Sequence, residues 1–126
     1  MTYYTSVAAL IAVLTCTPYT HAYLARVENA TSGIITVTIN LAACAPIQVG
    51  ALKPGEVSRI FDTGACCFDS ISATGTTDPI TNMNSDNIKP WGSGWLCFQN
   101  VHFRCYEMKS GSRVIGIGFQ HTNLAR

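Results

Sequence analysis

Hydrophobic and polar residues alternate over residues 35–41, where Ile35, Val37, Ile39 and Leu41 are separated by Thr36, Thr38 and Asn40. A period of two with β-branched residues predicts a half-buried strand. Residues 47–52 form a shorter apolar stretch ending at Lys53-Pro54-Gly55-Glu56, where the central Pro and Gly predict a type II turn. Residues 57–61 then read as the returning strand of a hairpin over 47–61. Another strand is expected over 67–73. Residues 96–108, rich in aromatic and β-branched side chains, read as one long strand with Asn100 as the place for a bend. Lys109-Ser110-Gly111-Ser112 predicts a turn into a last strand over 113–120. There Val114, Gly116 and Gly118 lie opposite Ile115, Ile117 and Phe119, and the glycines imply something packed close to the backbone. Residues 23–28 are expected to add an N-terminal edge strand.

No segment outside the first residues keeps a helical period. The pattern therefore predicts an all-β fold, an antiparallel β-sandwich of about seven strands, with a small open β-barrel as the alternative. Residues 23–126 read as a single domain. The one long irregular stretch, residues 74–94, is rich in Thr, Asn, Asp, Gly and Pro. Loops of that length in compact domains tend to carry function.

The N-terminus reads differently. Residues 7–15 are a short apolar run, long enough for the core of a secretory signal peptide and too short to span a bilayer. Thr20-His21-Ala22 offers small residues at the two positions a signal peptidase reads. Residues 1–22 are thus expected to be a signal, with the mature chain starting at Tyr23 and a secreted or extracytoplasmic destination. The segment departs from the usual signal in having no Lys or Arg before the apolar run. Thr15 ahead of Cys16 departs from the lipoprotein pattern.

Six cysteines then become five: Cys44, Cys66, Cys67, Cys97 and Cys105. That density in a small secreted chain predicts disulfide stabilisation. In extended chain the adjacent Cys66 and Cys67 point to opposite faces, so each needs its own partner. On a continuous strand, Cys97 and Cys105 stand roughly 26 Å apart, far beyond the reach of one bond. The expected pairing joins Cys44 to one member of the vicinal pair and Cys97 to the other. Cys105 is left over, buried or free to link a disulfide-bonded dimer. A fold-back at Asn100 instead allows Cys97–Cys105. Strand parity turns His102 away from Cys97 and Cys105, so no metal site is expected.

Composition narrows the partners. Charged residues make up 12% of the chain and the net charge is +1, too little basic density for nucleic acid. No apolar run is long enough for a membrane span, and no cofactor motif occurs. Residues 82–87 place oxygen side chains at alternate positions, as calcium loops do. Asn87 stands where that loop needs glycine, and Ser93 where it needs a bidentate glutamate.

Trp91-Gly92-Ser93-Gly94-Trp95 is the most suggestive local feature: two indoles on a glycine-rich loop can form a platform for a sugar ring or an apolar ligand. The opposing expectation is that tryptophans of this size cap the core. Tyr106 and Phe98 are candidates to extend such a surface. Catalytic motifs are absent, and His102 and His121 with Asp62, Asp69, Asp78 and Asp86 are the groups left for a small secreted hydrolase. Asn29-Ala30-Thr31 makes Asn29 a glycosylation candidate on a surface turn. The reading is a secreted, disulfide-stabilised binding module that is not an enzyme, with an unknown protein or glycan partner. A carbohydrate-binding module using Trp91 and Trp95 is its sharper form.

Overall fold

The structure, a computed structural model, describes residues 23–77 and 81–124; of residues 76, 77 and 81–86 only the backbone is described. The expected signal over 1–22 and Asp78 lie outside the described residues.

Among the described residues eight strands form two four-stranded sheets packed as a sandwich, with no closed barrel. They are β1 (Leu24–Asn29), β2 (Ile34–Leu41), β3 (Ile47–Leu52), β4 (Phe61–Asp62), β5 (Phe68–Thr77), β6 (Thr81–Ile88), β7 (Val101–Ser110) and β8 (Arg113–Asn123). One sheet has the order β4-β1-β7-β8 and the other β3-β2-β5-β6. All pairings are antiparallel except β1 with β7, which run parallel.

Alternation along the strands builds the core. Ala25 and Val27 of β1, Val101, Phe103 and Cys105 of β7, and Ile117 and Phe119 of β8 face inward from one sheet. Ile35, Val37 and Ile39 of β2, with Phe68, Ile71 and Ala73 of β5, meet them from the other. Phe68 and Phe103 join the layers edge to face, centroids 5.5 Å apart. Each such large side chain removed from water contributes about 1.5–3 kcal/mol.

Four expectations change. The N-terminal strand is not an edge: β1 lies inside its sheet, between β4 and β7. Residues 47–61 are not a hairpin. The turn at Lys53–Glu56 does form, with Glu56 N–H donating to Lys53 O at 2.9 Å and φ of +81° at Gly55. Beyond it the chain crosses to the other sheet, captured by β1 through Asn29 N–H to Glu56 O and Ser58 N–H to Val27 O.

The supposed irregular stretch 74–94 is mostly a β5–β6 pairing, which runs to Ile88. The calcium-like run 82–87 is therefore strand rather than loop. The long strand over 96–108 breaks in two. Leu96 makes an isolated bridge to Phe68, and β7 starts only at Val101.

The turn into β8 is the expected one. Ser110 pairs with Arg113 across Gly111-Ser112, and φ of +64° at Gly111 suits a tight hairpin loop. Close packing is present at one of the β8 glycines: the Tyr106 ring lies across Gly118, so near that a β-carbon there would sit 2.5 Å from Cζ.

The bridges are Cys44–Cys66 and Cys67–Cys97, with Cα separations of 6.5 and 4.4 Å, and Cys105 is a buried free thiol. Cys97 precedes β7, so the continuous strand used to separate it from Cys105 does not exist. Cys97 is instead bonded to Cys67, and Cys105 lies in the core on β7.

Candidate functional site

The chain from Lys89 to Asn100 leaves the sheets, yet it is tied down throughout. Gly92 N–H donates to Lys89 O at 2.9 Å, and the indole N–H of Trp91 donates to Gly94 O at 3.0 Å. Lys89 Nζ reaches back to Asp69 O at 2.7 Å, to its carboxylate at 3.4 Å, and across to Gly94 O at 3.0 Å. Phe68 and Leu96 exchange backbone bonds at 2.8 and 2.9 Å, and the Cys67–Cys97 bridge lies next to them. At the far end Asn100 Oδ1 accepts from Leu24 N–H, while Leu124 N–H donates to Asn100 O. A loop fixed at both ends and in the middle holds its side chains at little further entropic cost.

The two tryptophans part ways on this frame. Trp91 turns inward, its ring 6.4 Å from Phe103 and 6.2 Å from His121, and closes the end of the core. Trp95 is 62% exposed. The two indoles of the expected platform thus have different surroundings, Trp91 partly buried against the core and Trp95 open to solvent. The exposed aromatic that accompanies the loop is Phe98, which is 74% exposed and lies edge-on to Tyr23 at 5.8 Å.

Phe98 also holds φ of +60°, a left-handed conformation that a bulky L-residue adopts only when its surroundings impose it. Phe98 is a suggested extension of the tryptophan surface, but reading 96–108 as one strand gives no sign of its turned backbone. Tyr106, the other suggested extension, lies over Gly118 on the outer face of the β4-β1-β7-β8 sheet instead.

The histidines are separated. On β7, His102 lies on the outer face, where Arg26 Nε donates to its Nδ1 at 3.1 Å and its Nε2 meets Glu28 Oε1 at 3.0 Å. Arg104 Nε stands 3.7 Å from the other Glu28 oxygen. His121 on β8 faces the opposite side of the same sheet, against Trp91. Asp62 accepts from Gly64 N–H in a turn, and Asp69 holds Lys89. These described groups are not brought to one cleft. Among the described residues no group of three or more His, Cys, Asp or Glu is arranged to hold a metal.

Asn29 is not on a surface turn. It is fully buried, and its Nδ2 donates to Gly33 O at 2.8 Å and to Leu52 O at 2.9 Å. Its Oδ1 accepts from the backbone N–H and the hydroxyl of Thr31. Both hydrogens of the nitrogen that would carry a glycan are used inside the protein, so a glycan there does not fit this folded state. Cys105 is equally enclosed: burial, helped by the Glu28 charge, pushes its thiol up to about 12. The covalent-dimer expectation thus lacks an accessible thiol among the described residues. The two bridges fit an oxidising, extracytoplasmic setting.

No protein-family model matches the chain, and no curated protein sequence matches it. The fold is similar to that of a solved structure, an NMR structure of a protein from Eubacterium rectale, with a TM-score of 0.53 and 13% sequence identity. The match covers 86% of this chain and 93% of that one. At that identity the likeness is one of fold, a disulfide-containing β-sandwich in this chain, and a fold alone does not give function.

Proposed function

We propose that this protein is a secreted binding module that acts by surface contact rather than catalysis, through its exposed aromatics Trp95 and Phe98, the latter edge-on to Tyr23. The observation that carries this reading is Phe98, a large apolar side chain held in water by a left-handed backbone next to a disulfide. Exposed apolar area costs free energy, and a binding partner that covers the ring recovers it. Residues 91–100 contain no charged side chain. The partner surface is therefore an uncharged ring, with a sugar face stacked on the indole as the best fit. Secretion rests on the apolar run 7–15, the Ala22 processing site and the two bridges.

A glycan array run with the secreted protein and its Trp95→Ala and Phe98→Ala variants tests the proposal. Binding to a restricted set of glycans that both substitutions abolish, with melting temperatures unchanged, is the expected result. An array on which no bound glycan is lost in either variant contradicts it.

A further inference from the structure

The composition holds a second clue, the low charge, and the strands show where it falls. No charged residue occurs in β2 or β3, and the one described in β5, Asp69, is engaged by Lys89. The outer face of these three strands presents Thr36, Thr38 and Asn40 from β2, Gln48 from β3, and Ser72 and Thr74 from β5, with Ile34 and Ala51 as exposed apolar neighbours at one end. The registers set Thr36 opposite Thr74 and Thr38 between Ser72 and Gln48. Thr36, Gln48 and Thr74 are exposed. Thr38 Oγ donates to Gln48 Oε1 at 2.9 Å, and Asn40 Nδ2 donates to Ser70 Oγ and Asn87 Oδ1, each at 3.1 Å.

We propose that this face docks a neutral polysaccharide. Solvated sheet faces ordinarily carry charges, which keep them wet and guard against stacking. A face of hydroxyls and amides is far less costly to cover, because no ion loses its water. Each of its hydroxyls and amides both donates and accepts. Hydroxyls recur roughly every 4.8 Å across the strands and 6.7 Å along them. A chain of sugar hydroxyls has the same dual character and no charge. An acidic or basic partner would instead leave its ions unpaired against this surface. The site is separate from the Trp95–Phe98 edge and does not depend on it.

The test is depletion of the secreted protein from solution by amorphous cellulose, insoluble starch, chitin and β-1,3-glucan, with carboxymethyl cellulose as the charged control. The double variant Thr36→Val/Thr74→Val keeps the β-branched shape and removes two hydroxyls. Thr36→Lys/Thr74→Glu places a mutually attractive pair across the strands. Both are exposed changes, and melting curves confirm folding.

The expected result is binding to at least one of the four neutral polymers and none to the charged one, weakened at least tenfold in both double variants and retained in Trp95→Ala. Any of these results overturns the proposal: no neutral polymer bound; binding unchanged in both double variants; or a dimer that the Lys/Glu variant dissociates, with no polymer bound, which makes a second copy the occupant. Loss in Trp95→Ala alone assigns the polysaccharide to the aromatic edge and overturns the sheet-face site.

Discussion

The side-chain amide of Asn29, at the end of β1, donates to the backbone carbonyl of Leu52, at the end of β3, at 2.9 Å, and so joins the two sheets through one buried group. Its second hydrogen goes to Gly33 O in the β1–β2 connection, and its oxygen fixes Thr31. One residue thus satisfies several polar groups at a corner where neither sheet can. Asn29→Ala removes the amide donor from two buried carbonyls, of which Gly33 O keeps the Thr31 hydroxyl within reach, and takes the acceptor from the buried Thr31 N–H, each unreplaced bond costing about 1–3 kcal/mol. Urea unfolding should show a total destabilisation of about 2–5 kcal/mol. Asn29→Asp should be at least as damaging, because oxygen then faces oxygen. In a glycosylating host the folded, secreted protein should carry no glycan at this position by intact mass.

Tyr106 covers the strand at Gly118, where the missing side chain makes room for its ring. Gly118→Ala forces the ring aside, and overpacking of this kind costs about 1–3 kcal/mol. In Tyr106→Ala the same glycine substitution should cost nearly nothing. The double-mutant cycle therefore predicts a coupling of at least about 1 kcal/mol, and strict additivity would show that the ring does not hold this position.

Cys105 sits between the sheets with its thiol pushed up to about 12, so it has almost no thiolate at neutral pH. A maleimide should leave the native protein unlabelled at pH 7.5 over hours. Without reductant, denaturation should expose one reactive thiol in the chain that starts at Tyr23. Labelling of the native protein would place Cys105 at an accessible surface. Non-reducing electrophoresis should show a monomer.

Glu107 accepts from both the backbone N–H and the hydroxyl of Ser32, with Lys109 nearby, and these contacts hold its carboxyl below the usual value of 4.5. A carboxylate depressed in the folded state stabilises it at pH values above its ordinary pKa. That contribution is lost as the pH falls through the lower, folded value. The melting temperature of the wild type should therefore drop more steeply below about pH 4.5 than that of Glu107→Gln, the two curves converging toward acid. Parallel curves would remove Glu107 from the acid response.

Strands buried on one face were legible because side-chain alternation reports them directly, as at Ile35, Val37 and Ile39. Pairing partners were not. The parallel contact of β1 with β7 and the crossing after Gly55 depend on residues far apart in the chain, and local pattern carries no record of them. β6 read as loop because Asn and Asp disfavour strands, and its pairing with β5 overrides that preference. Trp91 and Trp95 were indistinguishable by type and spacing. Their separation comes from the bond of the Trp91 indole to Gly94 O and from the core ends it meets, Phe103 and His121. Asn29 matched a surface sequon while being buried, since a sequon reports three residue types and nothing of the carbonyls around them.

The central claim, that the Trp95–Phe98 edge is the contact surface and Trp91 part of the core, is tested most directly by fluorescence of the Trp91→Phe variant. Its only indole is Trp95. Titration with the tightest array-bound oligosaccharide should shift its emission to the blue and saturate, while Trp95→Phe, reporting from Trp91 alone, stays unchanged. A saturable shift from Trp91 with none from Trp95 would contradict the account.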